Sequence, residues 1–154
     1  MGLLTPDIRE FVNTVKLGFA ATVCADGTPN LSPKGTTIAW DEDHLAFADI
    51  YSPGTVENLR SNNSIEINTV DIFTRKGYRF KGVAEVLGRG ELFNSILEKY
   101  QSAAGQYKIN NIVLVKVERV VQLSSPAYDH MSEQEIFDRW FEYWASVNEN
   151  RING

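Results

Sequence analysis

Asn30-Leu31-Ser32-Pro33-Lys34-Gly35-Thr36 places a proline inside a run that otherwise reads as a strand. Proline brings no N–H to a ladder, so the strand must bulge or run at a free edge near Ser32–Gly35. Backbone groups released there can meet a planar, hydrogen-bonding ligand. The Lys34 ammonium can offer charge to an anion or to an electron-rich ring. A plain edge bulge with a solvated lysine fits the same residues. The second cluster is Tyr51-Ser52-Pro53-Gly54-Thr55, leading into Asn58. Ser52 suits a helix cap and Pro53 the first helical position. Open N–H groups at a helix start, with Ser and Thr hydroxyls beside them, make a small anion seat. Ordinary capping by Ser52 is compatible with that role.

Arg75-Lys76-Gly77-Tyr78-Arg79-Phe80-Lys81 gathers four cations and two aromatics in seven residues. Such a run can hold a phosphate or stack bases, or it can be a solvated strand face. Near the end of the chain Trp140, Phe141 and Trp144 share one helical face. That face suits a core, a partner subunit or a flat cofactor, because large aromatics concentrate in interface cores.

Other chemistries lack their residues. The sequence has no GxGxxG, no GxxxxGK[ST] loop and no G-x-S-x-G elbow. Gly88-Arg89-Gly90 is too short for a phosphate loop and reads as a strand-to-helix turn. Cys24 is the single cysteine, so neither an intramolecular disulfide nor a CxxC pair can form. His44 and His130 are far apart, each reads as a surface residue, and no metal site is expected. Fifteen Lys/Arg against twenty Asp/Glu give a net charge of −5, which argues against a general nucleic-acid binder. No signal-peptide pattern or long apolar run is present, and the expectation is a soluble cytoplasmic protein away from membranes.

The elements that must carry these clusters are legible from periodicity. Thr5, Pro6 and Asp7 start a helix, continued by Ile8, Phe11, Val12 and Val15, with Gly18 placed to end it. Six strands follow: FAATVCA, NLSPKGTTIAW, LAFAD, SIEINTV, RKGYRFKGVAEVL and NNIVLVKVERVVQL. Asp26-Gly27 is a hairpin signal between the first two. A short crossover helix runs from about Pro53 to Ser61, and another carries Leu92, Phe93, Ile96, Leu97 and Tyr100. A final helix over about 132–147 opens on a Ser132/Glu135 capping box. Tight turns and few helices indicate a mainly antiparallel barrel rather than a doubly wound sheet. At 154 residues the chain fits one domain, with a core over about 3–123.

Taken in order, GFAATVCADGTPNLSPKG, LAFADIYSPGTVENLRSNNSIEINTV and RKGYRFKGVAEVL resemble the FMN-binding split-barrel family, whose namesake is pyridoxamine 5'-phosphate oxidase. The resemblance spans about Leu3 to Leu123. It implies a mainly β fold, a six-stranded antiparallel split β-barrel with flanking α-helices, working as a homodimer with FMN at the subunit interface. By the same resemblance Ser32, Pro33, Lys34 and Gly35 line the flavin ring. Asp49 and Tyr51 border ring and ribityl chain. The crossover helix, with Ser52 and Thr55, takes the phosphate. Oxidase relatives carry a lysine where this chain has Thr55, so Lys34, Arg75 or Lys81 is expected to assist, and Trp140 to cover the cofactor. Asn58 is expected to brace the helix. The late R-x-H pattern of true oxidases is missing, since Arg139 is followed by Trp140 and Phe141, and pyridoxamine phosphate oxidase activity itself is not expected. The implied function is an FMN-dependent oxidoreductase acting on a small molecule or NAD(P)H, with no catalytic side chain assigned. The alternative is an FMN-binding electron-transfer or storage protein without turnover. Haem- or deazaflavin-binding relatives and a nucleic-acid-binding barrel are weaker alternatives.

Overall fold

The computed structural model describes residues 2–104 and 107–153. Helix α1 (Pro6–Val15) starts where Thr5 Oγ accepts from the Ile8 N–H. Its left-handed end falls on Lys16 (φ 59°), not on Gly18, and the Lys16 N–H closes back on the Val12 carbonyl. Gly18 has another use. A Cβ there would come within 2.6 Å of Thr37 Oγ1, so the glycine lets the first strand approach its neighbour.

Seven strands form one antiparallel sheet, where six were expected. They are β1 (Gly18–Val23), β2 (Pro29–Lys34), β3 (Ile38–Ala39), β4 (His44–Asp49), β5 (Ser64–Val70), β6 (Lys76–Leu87) and β7 (Asn111–Ser124). The correction lies in the stretch NLSPKGTTIAW, which is two strands rather than one. Pairing with β1 ends at Gly18↔Lys34. The chain then leaves that ladder over residues 35–37 and joins β4 at Ile38↔Ala46. The Thr37 N–H bonds the Lys16 carbonyl instead of a strand partner. Pro33 does not interrupt the ladder: it stays in register opposite Phe19. It is tolerated because β2 is an outermost strand.

The order β2-β1-β5-β6-β7-β4-β3 leaves β2 and β3 as the two edges, although they are consecutive in sequence. The sheet curls so strongly that Thr36, between them, bonds across to β4: its hydroxyl accepts from the Ala48 N–H at 2.9 Å. The result is an open, split barrel. Its main core joins Leu4, Val12, Leu45, Phe47, Ile67 and Phe80 with their neighbours. Burying each such side chain contributes roughly 1.5–3 kcal/mol. A second cluster around Ile96, Tyr100, Ile112 and Leu114 seats α3 (Glu91–Ala104) on β7 and β4.

Helix α2 (Pro53–Ser61) crosses from β4 to β5 and buries Thr55, Val56 and Leu59. Helix α4 (Glu133–Asn153) runs six residues beyond its expected end. Its capping box forms as read, with Glu135 Oε2 accepting from the Ser132 N–H at 2.8 Å. Ile136 is its one fully buried apolar residue among those described, while Phe137 and Phe141 meet Phe73 and Trp140 meets Arg75. Among the described residues no helix is long and apolar enough to cross a membrane.

Candidate functional site

Side chains alternate along β2. Leu31 and Pro33 face out, while Asn30, Ser32 and Lys34 face in. Lys34 is therefore buried, at 4% exposure. Its Nζ donates to Ser32 Oγ and to Ser52 Oγ, each at 2.7 Å. It also stands 5.7 Å from the centre of the Phe47 ring. The first two sequence clusters thus meet at one ammonium group. Loss of hydration pushes the Lys34 pKa down, and the nearby Asp49 carboxylate partly offsets this.

Asp49, buried at the end of β4, fixes the approach to α2. Its Oδ1 accepts from the Ser52 N–H at 2.8 Å and its Oδ2 from Asn111 Nδ2 at 2.8 Å. Ser52 was expected to cap α2, and it does not. Its hydroxyl points to Lys34 and makes no cap bond. The first-turn N–H groups of α2 consequently have no side-chain oxygen from the cap position, which leaves the positive end of the helix for another acceptor. Gly54 lies in that turn with open space on its side-chain side. Thr55, like Lys34, is 4% exposed; it packs on the same helix as buried Val56 and Leu59. Asn58 donates to Thr22 Oγ1 at 3.0 Å and reaches Cys24 Sγ at 3.6 Å, tying α2 to β1.

Beyond Lys34 the chain opens. Gly35 is exposed, and a Cβ there would meet no other atom within 4 Å. It borders a hollow of about 380 Å³ between α1 and α3, shared with Asn13, Lys16, Thr36, Ile38 and Tyr100. That volume falls in the range of small-molecule pockets, roughly 300–1,000 Å³. Tyr100 closes its floor by donating to the Thr36 carbonyl at 2.8 Å, and burial raises its phenol pKa. Tyr51, in the connection before α2, is 88% exposed.

The remaining candidates lie elsewhere. Arg75 takes a left-handed backbone (φ 57°), and its guanidinium stacks 3.4 Å from the Trp140 ring centre. Both border an open depression of about 450 Å³ with Val70, Leu123, Ser124 and Ser125. Lys81 is exposed on the outward face of β6. The chain therefore divides the candidates. Ser32, Lys34, Gly35, Asp49 and Ser52 gather at the inner edge, whereas Arg75, Lys81 and Trp140 sit on the sheet's outer side or at its end. Sequence reading missed Asn111, Thr36 and Tyr100. Only the Asn110-Asn111 pair before a strand hinted at a polar anchor. Tyr100 read as one more apolar helix position.

A family profile described as pyridoxamine 5'-phosphate oxidase matches residues 4–140. The chain belongs to this family. Solved structures agree on the fold. HupZ of Group A Streptococcus is 29% identical with a TM-score of 0.72, over 80% of this chain and 96% of that one. An FMN-binding protein of Syntrophomonas wolfei is 16% identical with a TM-score of 0.66, over 76% and 84%. HutZ of Vibrio cholerae, a haem storage protein, is 24% identical with a TM-score of 0.61, over 79% and 94%. No curated protein matches the chain.

Proposed function

We propose that this chain binds FMN and acts as an oxidoreductase on a small molecule or NAD(P)H, as a homodimer with the flavin between subunits. The observation that carries the reading is the Lys34 ammonium joining the SPKG strand end to the uncapped start of α2. A charged donor, two serine hydroxyls and open helix N–H groups suit a ligand with an anionic tail. The neighbouring hollow at Gly35 suits its flat ring. When bound, FMN supplies the hydride and electron chemistry, and the protein supplies position and electrostatics. Lys34, oriented by Ser32 and Ser52, would hold negative charge of the bound cofactor. Asp49 keeps Ser52 and the first turn of α2 in place.

The split of the candidates supports a homodimer. One curled sheet buries only part of a tricyclic ligand, and a second copy can add Arg75 and Trp140, which share one depression. The apolar side chains that such packing would cover are present: Leu31 is 66% exposed and Phe19 41%.

The test is the spectrum of protein expressed with ample riboflavin. An oxidised-flavin absorbance band, and FMN released on denaturation and identified by mass, support the reading. Colourless protein that fails to bind FMN in titration ends it. One observation favours storage or electron transfer without turnover: Lys34 spends two of its three N–H donors on serine hydroxyls and both Asp49 oxygens accept from neighbours, so neither is set up as an acid–base partner of the other. Steady-state assays with NADH or NADPH and a dye acceptor separate the two.

A further inference from the structure

We propose that Arg79, Lys81 and Arg119 form a second anion site, on the outer face of the sheet, that takes one phosphate group. Cross-strand register places Glu66, Lys81 and Arg119 in one row over β5, β6 and β7. Arg79 is the next outward residue on β6, opposite Val121. Together the five residues line a hollow of about 100 Å³.

The register itself is the main argument. From Leu87↔Ile112 to Gly82↔Val117 the β6–β7 ladder runs without a slip. Continued by one residue, it would set Lys81 against Glu118, a favourable cross-strand ion pair. Instead the pairing shifts between Lys81 and Gly82, and Lys81 faces Arg119. The bulge, with Glu118 as its extra residue, therefore sets two like charges directly opposite in the ladder, which costs stability. Nothing in the chain's overall charge of −5 requires that. Local choices that oppose stability concentrate at functional positions.

Positive charge also outweighs negative in the hollow. Among the described residues none of these three cations makes an ion pair; the ion pairs there are His44–Asp41 and Lys76–Glu133. Arg79 spends one donor on Asn68 Oδ1 at 3.3 Å. Glu66 offers one negative charge to three positive ones. Two guanidinium forks and an ammonium suit a tetrahedral dianion, since arginine binds phosphate through paired N–H donors. The hollow is several times smaller than a whole-ligand pocket of roughly 300–1,000 Å³. It admits a head group only: inorganic phosphate, or the phosphomonoester end of a larger molecule. This site stands apart from the flavin reading, since it uses neither Lys34 nor α2.

Calorimetric titration of the full chain with inorganic phosphate, at constant ionic strength in chloride, tests it. Expected are saturable binding of one phosphate per site, about tenfold or greater weakening in Lys81→Gln and in Arg119→Gln, and tighter binding in Glu66→Gln. A parallel titration with glycerol phosphate reads the source: tighter binding than inorganic phosphate assigns the site to a phosphomonoester, weaker or equal binding to the free ion. Arg119→Glu supplies a second readout, because it restores an opposite-charge pair with Lys81. It should abolish binding and raise the thermal midpoint. The proposal is overturned if binding is unsaturable, if Arg119→Glu still binds or loses stability, or if Ser52→Ala weakens binding while Arg119→Gln does not. A mobility shift of short single-stranded DNA that depends on Arg119, without phosphate binding, also overturns it in favour of a nucleic-acid face.

Discussion

Lys34 Nζ lies 2.7 Å from Ser52 Oγ, and that contact takes a capping hydroxyl away from its helix. Ser52 holds the position and type of a capping residue, yet its oxygen serves the lysine. The first turn of α2 keeps its open donors as a result. The same contact ties the end of β2 to the β4–α2 connection, beside the Thr36–Ala48 bond.

Replacing Lys34 by methionine separates the ligand role from a structural one. Burying an ammonium costs more than burying an apolar chain of similar size, even with two hydroxyl partners. Lys34→Met should therefore hold or raise the urea midpoint. FMN affinity should fall at least tenfold, equivalent to about 1.4 kcal/mol. Urea unfolding and FMN titration on the same preparation check both halves. A lowered midpoint would make the lysine a structural prop.

Thr55 invites the opposite substitution, because the resemblance to oxidases implies a lysine at this position. The local environment argues against a simple gain. Thr55 is 4% exposed on the inward side of α2, beside buried Val56 and Leu59. A lysine there must bury a charge or push the helix outward. Thr55→Lys should cost about 3 kcal/mol or more, on the scale of an unpaired buried charge. Equilibrium unfolding with urea measures it. A stable variant with tighter FMN binding would mean that the position opens to the ligand after all.

The difference between these two positions marks how far sequence reading reached. Strand and helix identities were legible because alternation and helical spacing depend on local composition. Asp26-Gly27 and the Ser132/Glu135 box followed from residue types, and the SPKG and YSPGT clusters, singled out for their chemistry, meet at the Lys34–Ser52 contact. The seventh strand was not legible. Nothing in Gly35-Thr36-Thr37 differs locally from a continuing strand, and the switch from β1 to β4 pairing is made by contacts with Lys16 and Ala48, distant in sequence. Side-chain ownership was equally hidden. Whether Ser52 caps a helix or accepts from a lysine depends on where an edge strand eighteen residues away comes to rest. Arg75, Lys81 and Trp140 looked like one set with Lys34 because sequence gives chemistry but not the side of a sheet end.

Tyr100 ties α3 to the seam that sequence did not reveal. Its hydroxyl donates to the Thr36 carbonyl, and its burial raises the phenol pKa above the ordinary 10.0. Tyr100→Phe should cost about 1 kcal/mol near neutral pH, the net worth of one such bond. The pH dependence has a definite sign. The unfolded chain releases the phenol proton as pH passes about 10, before the folded chain does, so this side chain's contribution declines with further rise in pH. The gap between wild type and Tyr100→Phe should therefore narrow above about pH 10. Urea midpoints for both proteins across that range give the answer, and a gap that widens would contradict the assigned burial effect.

Leu31 tests the assembly without touching the inner site. It faces outward from β2 at 66% exposure, opposite Ala21 and one outward position from Pro33. Monomeric proteins seldom leave a run of apolar outward residues on an edge strand without cover. Leu31→Glu places a charge in any packed face and leaves Ser32 and Lys34, whose side chains point the other way, in position. Sedimentation of the wild type should show a dimer when loaded with FMN and dissociation when the flavin is removed, since a ligand shared between subunits stabilises their association. Leu31→Glu should sediment as a monomer at concentrations where the wild type is dimeric, with an unchanged far-ultraviolet circular dichroism spectrum. FMN affinity should drop with it, because half of the ligand's surroundings then leave. A monomeric variant that binds FMN as tightly as the wild type would place the whole site within one chain and detach Arg75 and Trp140 from it.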